Sequence, residues 1–207
     1  MVTEWFRNKH WNDEIEKSFF SHLSRARTQR DQYIVIQALT LAKQYPNVSL
    51  MLIDLYFQSK KSSFEDVRAL SAKSDAYISL GDIEQAIEAM KAVLAIEREK
   101  PSHKTTKYVD FPFLVATLKI SREYNSALET LAERAKDLMF PLDIFKYHAS
   151  NSLIHRELQD FDLSKKHAAI ALEAAKIRKS GFRFHQDLGL VGKEYKTVVA
   201  ELLKIHA

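Results

Sequence analysis

A glycine-rich segment near the C-terminus carries the residues that are best suited to chemistry. It reads SGFRFHQDLGLVG over residues 180–192 and holds three of the four glycines of the chain. Arg183, His185 and Asp187 alternate in it with two phenylalanines, so an extended backbone would present the three polar side chains on one side. Such a set could bind an anion or a small ligand, or serve an active site. The alternative is an ordered loop whose phenylalanines pack onto the end of the helical body and cap it.

Known catalytic and cofactor motifs do not explain this segment. Its GLVGK sequence resembles the end of a phosphate-binding loop, but Asp187 and Glu194 stand where that loop needs Gly and Ser or Thr. The sequence contains no G-x-S-x-G or H-E-x-x-H motif. His148 and His155 lie two helical turns apart, which is too far for one metal ion without further ligands. We therefore expect no enzyme activity, no metal and no cofactor.

Basic residues at the predicted helix ends support a second hypothesis. Lys and Arg outnumber Asp and Glu by 31 to 27, for a formal net charge of +4. This balance is only mildly basic and does not by itself indicate nucleic-acid binding. An RNA or DNA interface would use the clustered cations, and its affinity would fall steeply with salt. The clustered cations are Arg25, Arg27, Arg30, Lys104, Lys107, Lys176, Arg178 and Lys179.

Composition favours long helices and excludes thiol chemistry. The 207 residues include only 4 Gly and 4 Pro, fewer than average usage, and no Cys. Disulfides, Cys-ligated metals and thiol nucleophiles are therefore excluded. The N-terminus lacks the continuous apolar core of a secretory signal, and the most apolar run, around Asp54, is too short to span a bilayer. We expect a soluble, cytoplasmic protein that makes no membrane contact.

Helical patterns run through the N-terminal region. A first helix opens near Asn12, and a second is predicted from about Asp31 to Tyr45. Pro46 ends it, and Asn47 is predicted to cap a third helix. Three aromatic residues come before the first helix and either form a partner-binding patch or pack on the end of the helical body. They are Trp5, Phe6 and Trp11.

The stretch from Leu70 to Pro101 predicts two helices folded back on each other. Gly81 breaks the apolar periodicity, and glycine suits the left-handed backbone of a helix end. Asp82 is placed to accept hydrogen bonds from the free N–H groups of the next helix. Ala86 lies on the apolar face of that helix, where its small side chain would allow the two backbones to approach closely.

This stretch resembles a tetratricopeptide repeat. The matching positions, in motif order, are Leu70, Tyr77, Gly81, Ile83, Ala86, Met90 and Pro101. Two weaker copies follow, in which Ala127 and Ser164 take the small-residue position and Arg122 stands where the second copy needs Gly. These spacings are longer than the roughly 34 residues that are usual for the repeat. The resemblance implies an all-α fold of antiparallel helix hairpins stacked into a right-handed superhelix, an α-solenoid.

The predicted organisation is one helical-repeat domain over residues 1–207. Residues 1–63 would form N-terminal helices, with a degenerate repeat among them left open. Residues 64–179 would hold the repeats, and residues 180–207 the glycine-rich loop and a capping helix. Because the exposed ends of such an array can pair, a homodimer also stays open.

The resemblance also implies a function. In tetratricopeptide arrays the first helix of each pair lines a concave groove that binds a protein segment. Members that clamp chaperone tails use Lys and Asn where this chain has Ser71 and Asp75, so we expect another protein partner. The groove residues would be Arg68, Asp75, Ile78, Phe113, Lys119, Lys146 and Arg156. The leading hypothesis is therefore a non-enzymatic adaptor, with nucleic-acid binding and a ligand site or enzyme at residues 180–192 as alternatives.

Overall fold

The computed structural model describes residues 4–207, and every regular element in that range is helical, as predicted. Close contacts divide the chain into two compact units, residues 1–107 and 108–207. Unit 1 holds α1 (Asp13–Arg25), α2 (Arg30–Leu41), α3 (Pro46–Ser59), α4 (Asp66–Leu80) and α5 (Ile83–Glu99). Unit 2 holds nearly all of α6 (Lys107–Thr117), then α7 (Tyr124–Arg134), α8 (Pro141–Glu157), α9 (Phe161–Lys176) and α10 (Lys196–His206). Short 3₁₀ turns at Ser121–Glu123 and Lys193–Tyr195 precede α7 and α10.

The first helices begin close to the predicted positions, with one correction. Asn12 caps α1, since its side-chain Oδ1 accepts a hydrogen bond from the Ile15 N–H at 2.9 Å. The third helix is not capped by Asn47, because α3 already begins at Pro46. Proline fits the first helical position, where its fixed φ is suitable and its missing N–H would have no partner in the helix. The same residue therefore starts α3 and does not simply end α2.

The N-terminal aromatic residues pack on the core of unit 1. Trp5, Phe6 and Trp11 are partly buried against a cluster that includes the fully buried Phe19 and Tyr56. A buried amide fixes this segment to α2. The Gln37 Nε2 group donates to the Asn8 carbonyl at 2.8 Å, and the Gln37 Oε1 atom accepts from the Asn8 N–H at 3.0 Å. Of the two interpretations of these aromatic residues, the structure supports packing onto the protein's own core.

The turn between α4 and α5 has the geometry that the sequence predicts. Gly81 is left-handed, with φ of 78°. The Asp82 N–H donates to the Tyr77 carbonyl at 3.0 Å, which closes a Schellman turn at the end of α4. The Asp82 side chain then caps α5 by accepting from the Gln85 N–H at 3.2 Å.

The same hydrogen-bonded turn ends α6 and α8 without glycine. Lys119 and Gln159 take the left-handed position, with φ of 53° and 63°. The N–H of each following residue reaches five positions back, from 120 to 115 at 3.0 Å and from 160 to 155 at 2.9 Å. Arg122 was therefore the wrong position for the missing glycine, because it lies in the 3₁₀ turn and Lys119 has the left-handed backbone. Because of that 3₁₀ turn, Ala127 lies eight positions after the left-handed residue, whereas Ala86 and Ser164 lie five positions after theirs.

A small buried residue stands at the fourth position of four helices. Ser49 in α3, Ala86 in α5, Ala127 in α7 and Ser164 in α9 all have no exposed surface. Two of these residues also bond to the preceding helix. The Ser49 hydroxyl donates to the Ala38 carbonyl and the Ser164 hydroxyl donates to the Ser152 carbonyl, both at 2.9 Å. The α2–α3 pair thus shares the feature that suggested the later repeats, although its sequence alone did not identify it.

Replacing Ala86 with tryptophan should destabilise unit 1. The indole cannot fit between α4 and α5 without displacing buried neighbours, so we expect a loss of about 1–3 kcal/mol or more. Glu88→Trp, at an exposed position of the same helix, is the matched control. Urea unfolding of both variants measures the difference, and equal midpoints would contradict the close α4–α5 contact.

Replacing Gln159 with glycine should stabilise unit 2. The left-handed backbone strains a residue with a Cβ, and its relief should exceed the entropy that glycine adds to the unfolded chain, for a net gain of about 0.5–1 kcal/mol. Lys165→Gly, in the exposed interior of α9, should instead lose about 1 kcal/mol. Thermal unfolding of the two variants should therefore shift in opposite directions, and a destabilised Gln159→Gly variant would refute the strain.

Candidate protein-binding surfaces

Two of the three groove residues predicted on α4 are engaged inside unit 1. The Arg68 guanidinium forms an ion pair with Glu65 at 2.9 Å. The Asp75 carboxylate accepts a hydrogen bond at 2.6 Å from the ammonium group of Lys107, which is almost fully buried. A partner that used either side chain would first have to compete with these bonds. Ile78, on the same helix, remains 37% exposed.

Phe113 and Lys146, two of the predicted groove residues, come together in unit 2. The Lys146 ammonium donates to Asp110 at 2.6 Å and lies 5.8 Å from the centre of the Phe113 ring and 5.7 Å from that of Tyr195. Phe145 packs on both rings. Burial opposes the charge of Lys146, but the Asp110 carboxylate and the Tyr195 hydroxyl outweigh it and raise the lysine pKa. The result is a half-buried cation enclosed by aromatic rings, which ties α6, α8 and the segment before α10 together.

Two of the predicted groove residues in unit 2, Lys119 and Arg156, are exposed. Lys119 is exposed at the end of α6 and forms an ion pair with Glu157 at 2.7 Å, whose hydrogen bond raises the lysine pKa. Arg156 is exposed near the end of α8, with its guanidinium 4.9 Å from the centre of the Phe161 ring. Exposed pairs of this kind contribute little to stability and can exchange partners readily.

The glycine-rich loop is folded into turns and is not extended, which agrees with the ordered-loop interpretation. Arg183, His185 and Asp187 are all exposed. The Ser180 hydroxyl donates to the His185 carbonyl at 2.6 Å, and this bond closes the backbone into a turn. Because the chain curls, the alternation of polar and aromatic residues does not produce one polar side.

One end of this loop packs on the start of α8. Phe182 stacks on Phe140 with ring centres 5.3 Å apart, whereas Phe184 is 82% exposed. Gly189 is left-handed, with φ of 69°, and a Cβ there would lie 2.5 Å from Phe140. The Gly189 carbonyl also accepts from the Leu142 N–H at 2.8 Å. The loop therefore caps α8 through one of its two phenylalanines and leaves the other at the surface.

Two histidines face each other across α8 and α9. The Nδ1 atoms of His148 and His167 lie 2.8 Å apart, so one ring donates a hydrogen bond to the other. Burial and the neighbouring His167 lower the pKa of His148 to about 4. Burial, His155 and Lys166 also lower the pKa of His167. Sequence analysis paired His148 with His155 along one helix and missed His167, which the hairpin brings into contact.

A cleft opens between the end of α9 and the face of α10. Its volume is about 350 Å³. Its floor is apolar and is formed by Ala175, Val191, Val199, Ala200 and Leu203. Leu203 is 55% exposed because its neighbour Leu202 takes the buried face of α10. The two leucines differ in exposure because adjacent helical residues point in different directions.

Cations surround this apolar floor. Arg178, Lys193 and Lys196 line the cleft and are exposed. The Arg178 Nη1 group donates to the Ala175 carbonyl at 3.3 Å, and the two lysine ammonium groups have no hydrogen-bonding or ion-pair partner among residues 4–207. One carboxylate, that of Glu194, lies beside Gly192 at the edge. The rim is therefore net positive around a water-exposed apolar surface.

The residues proposed for a nucleic-acid interface do not form one free basic surface within either unit. Lys107 is bonded to Asp75 and Lys176 to Glu173, both at 2.6 Å. Arg25 donates to the Ser21 hydroxyl of its own helix at 2.9 Å. Arg27 and Arg30 line a separate cleft in unit 1, whereas Arg178 lines the cleft of unit 2.

Comparison with known proteins adds no identification. No family model, no curated protein and no solved structure matches the chain. Over residues 4–207, no helix combines the length and the apolar character that a bilayer span requires. Within the same range, no group of three or more His, Asp or Glu side chains is arranged to hold a metal ion. The tetratricopeptide resemblance remains a prediction from motif residues.

The His148–His167 pair should make unit 2 less stable in acid. Both histidines have pKa values below 6.5 in the folded chain, so the unfolded state binds protons first as the pH falls from about 6.5 towards 4. The free energy of unfolding of unit 2 is therefore highest above this pH window and decreases as the pH falls through it. Because solvent screens these half-buried rings, we expect a loss of about 1–2 kcal/mol. Urea unfolding between pH 7 and pH 4.5, compared with His148→Gln/His167→Gln, measures the difference.

The double variant should lose this part of the pH dependence. His103, which lies in unit 1, provides the control variant His103→Gln, and its profile should follow the parent protein. A parent profile that coincides with that of the double variant would contradict the neutral pair.

Proposed function

We propose that the chain is a non-enzymatic adaptor that binds a segment of another protein. We further propose that its hairpins are tetratricopeptide-like repeats stacked into a right-handed superhelix. Three observations support the repeat: the recurrent Schellman turn, the buried small residue at the fourth position of the second helices, and the bonded serines of α3 and α9. Repeats of this kind commonly present surfaces for protein partners.

The observation that carries the proposed function is the cleft between α9 and α10. Its apolar floor and positive rim have the two parts that a protein-binding site needs, an area to desolvate and charges that select and orient the partner. Arg68, Asp75 and Lys146 are bonded within their own units and are therefore less available. We therefore assign the partner segment to the cleft, with Lys119 and Arg156 as accessible residues elsewhere in unit 2.

The expected ligand is an acidic amphipathic segment. A helix with leucine-sized residues along one stripe could cover Val199 and Leu203, and carboxylates beside that stripe would meet Arg178, Lys193 and Lys196. The helix-in-groove mode uses apolar anchors at helical spacing, which a cleft along α10 can accept. Exposed charges would contribute more to the association rate and to specificity than to affinity.

Reversing the two lysine charges should weaken binding of such a segment. The probe is a short fluorescein-labelled helical peptide with Leu on one stripe and Glu beside it, and binding is followed by fluorescence anisotropy. We expect Lys193→Glu/Lys196→Glu to reduce affinity by about tenfold or more, and added salt to reduce the difference. Leu203→Ser should weaken binding without this salt dependence.

Lys165→Glu/Lys166→Glu is the matched control, since both lysines are exposed on α9 and neither lines the cleft. The control should bind the peptide nearly as well as the parent protein, apart from a small general charge effect. An equal loss in both double variants would show that only net charge matters, and would contradict a specific cleft. A scrambled peptide that binds as tightly as the amphipathic one would do the same.

A further inference from the structure

A second cleft lies in unit 1, between the start of α2 and the connection from α3 to α4. Its volume is about 420 Å³, which is within the usual range for a small-molecule site. Charged, amide and aromatic groups line it together. They include Arg27, Gln29, Arg30, Asp31, Lys61 and Phe64. These residues come from two segments about thirty positions apart, so the site exists only in the folded chain.

Three cations converge on this cleft with most of their donors available. The side chains of Arg27 and Lys61 are exposed and have no hydrogen-bonding or ion-pair partner among residues 4–207. Arg30 is held in place by one bond, from its Nη1 group to the Ser59 hydroxyl at 2.7 Å. Its remaining guanidinium N–H groups stay available, and a guanidinium can form two parallel bonds to an oxyanion.

The carboxylates at the cleft are already engaged. The Asp31 Oδ2 atom accepts from the backbone N–H of Lys61 at 3.0 Å and holds the two segments together. Glu65 is nearly buried and forms an ion pair with Arg68 at 2.9 Å. With the Glu65 charge balanced by Arg68, the three cations face one remaining carboxylate. The cleft therefore favours an anion that carries more than one negative charge.

Two further groups at the cleft are placed to contact a ligand that is larger than a simple anion. The Gln29 Oε1 atom accepts from the Tyr33 hydroxyl at 2.5 Å, which leaves the Nε2 group of the same amide as a donor. Phe64 lines the cleft and is 68% exposed, although its ring centre lies 5.9 Å from that of His103. An aromatic ring left this exposed beside cations can pack on a planar or apolar group that is attached to the anion.

We propose that this cleft binds a small organic phosphate. The phosphate group lies among Arg27, Arg30 and Lys61, and the organic part packs against Phe64. A phosphate monoester carries close to two negative charges at neutral pH, which suits the cation excess. Its three terminal oxygens can accept bonds from several donors at once.

Binding of AMP by the full chain tests this proposal. Inorganic phosphate and adenosine, which represent the two parts of AMP, are measured as separate ligands. Affinity is measured by calorimetry, and the location by amide chemical shifts. We expect AMP to bind most tightly and to shift signals of residues 27–32 and 59–65. Arg27→Gln/Lys61→Gln should weaken AMP binding by about tenfold or more. Phe64→Ala should weaken AMP binding by about tenfold and leave the affinity for inorganic phosphate unchanged.

The control is Lys9→Gln/Lys43→Gln, which removes two exposed charges of the same unit away from the cleft. It should bind AMP like the parent protein. Circular dichroism checks that each variant stays helical, which is expected because Arg27, Lys61 and Phe64 are exposed. Unchanged AMP affinity in Arg27→Gln/Lys61→Gln, an equal loss in the control, or no shifts at residues 27–32 and 59–65 would each overturn the proposal. All of these variants lie outside the α9–α10 cleft, so either proposal can fail without the other.

Discussion

Two helices of a hairpin can approach closely only where a small side chain lies between them, and this constraint recurs along the chain. Ser49, Ala86, Ala127 and Ser164 occupy the same position in successive second helices and are fully buried. Where the residue is serine, its hydroxyl must also find an acceptor, because an unpaired buried hydroxyl is costly. The carbonyls of Ala38 and Ser152 provide it. This hydrogen bond sets the position of one helix relative to the other along their axes. It therefore determines which side chains meet across the pair.

Local physics made most of the helical fold predictable. Gly81 and Asp82 act within a few residues of themselves, so the turn and the cap of α5 could be predicted from their types alone. The prediction failed where one backbone conformation accepts several residue types. Lys119 takes the left-handed position that glycine usually fills, and it was missed because lysine gives no signal for it. Pro46 was assigned to a helix end because proline suits both the residue after one helix and the first turn of the next.

The candidate sites were less predictable because they depend on partners far apart in sequence. Lys107 and Asp75 are 32 positions apart, and Lys146 and Asp110 are 36 apart, so their ion pairs could not be read from local patterns. In the glycine-rich loop, Arg183, His185 and Asp187 are exposed, but the turns of the backbone keep them from forming one polar side. The two clefts were missed for a related reason. Each is lined by Lys, Arg and other residues of types that are common on protein surfaces. The sequence does not reveal which of their charged groups lack an ion-pair partner after folding.

The turns at Lys119 and Gln159 show that this reversal of the chain does not require glycine. A left-handed lysine or glutamine reduces the free energy of unfolding by roughly 1–2 kcal/mol. A domain with a typical stability of about 5–15 kcal/mol remains folded after this loss. Mutation can therefore replace the glycine of such a turn while the chain continues to reverse direction at the same place. In this protein the turns after α4, α6 and α8 have the same geometry, because the amide N–H groups of residues 82, 120 and 160 each donate to the carbonyl five positions back.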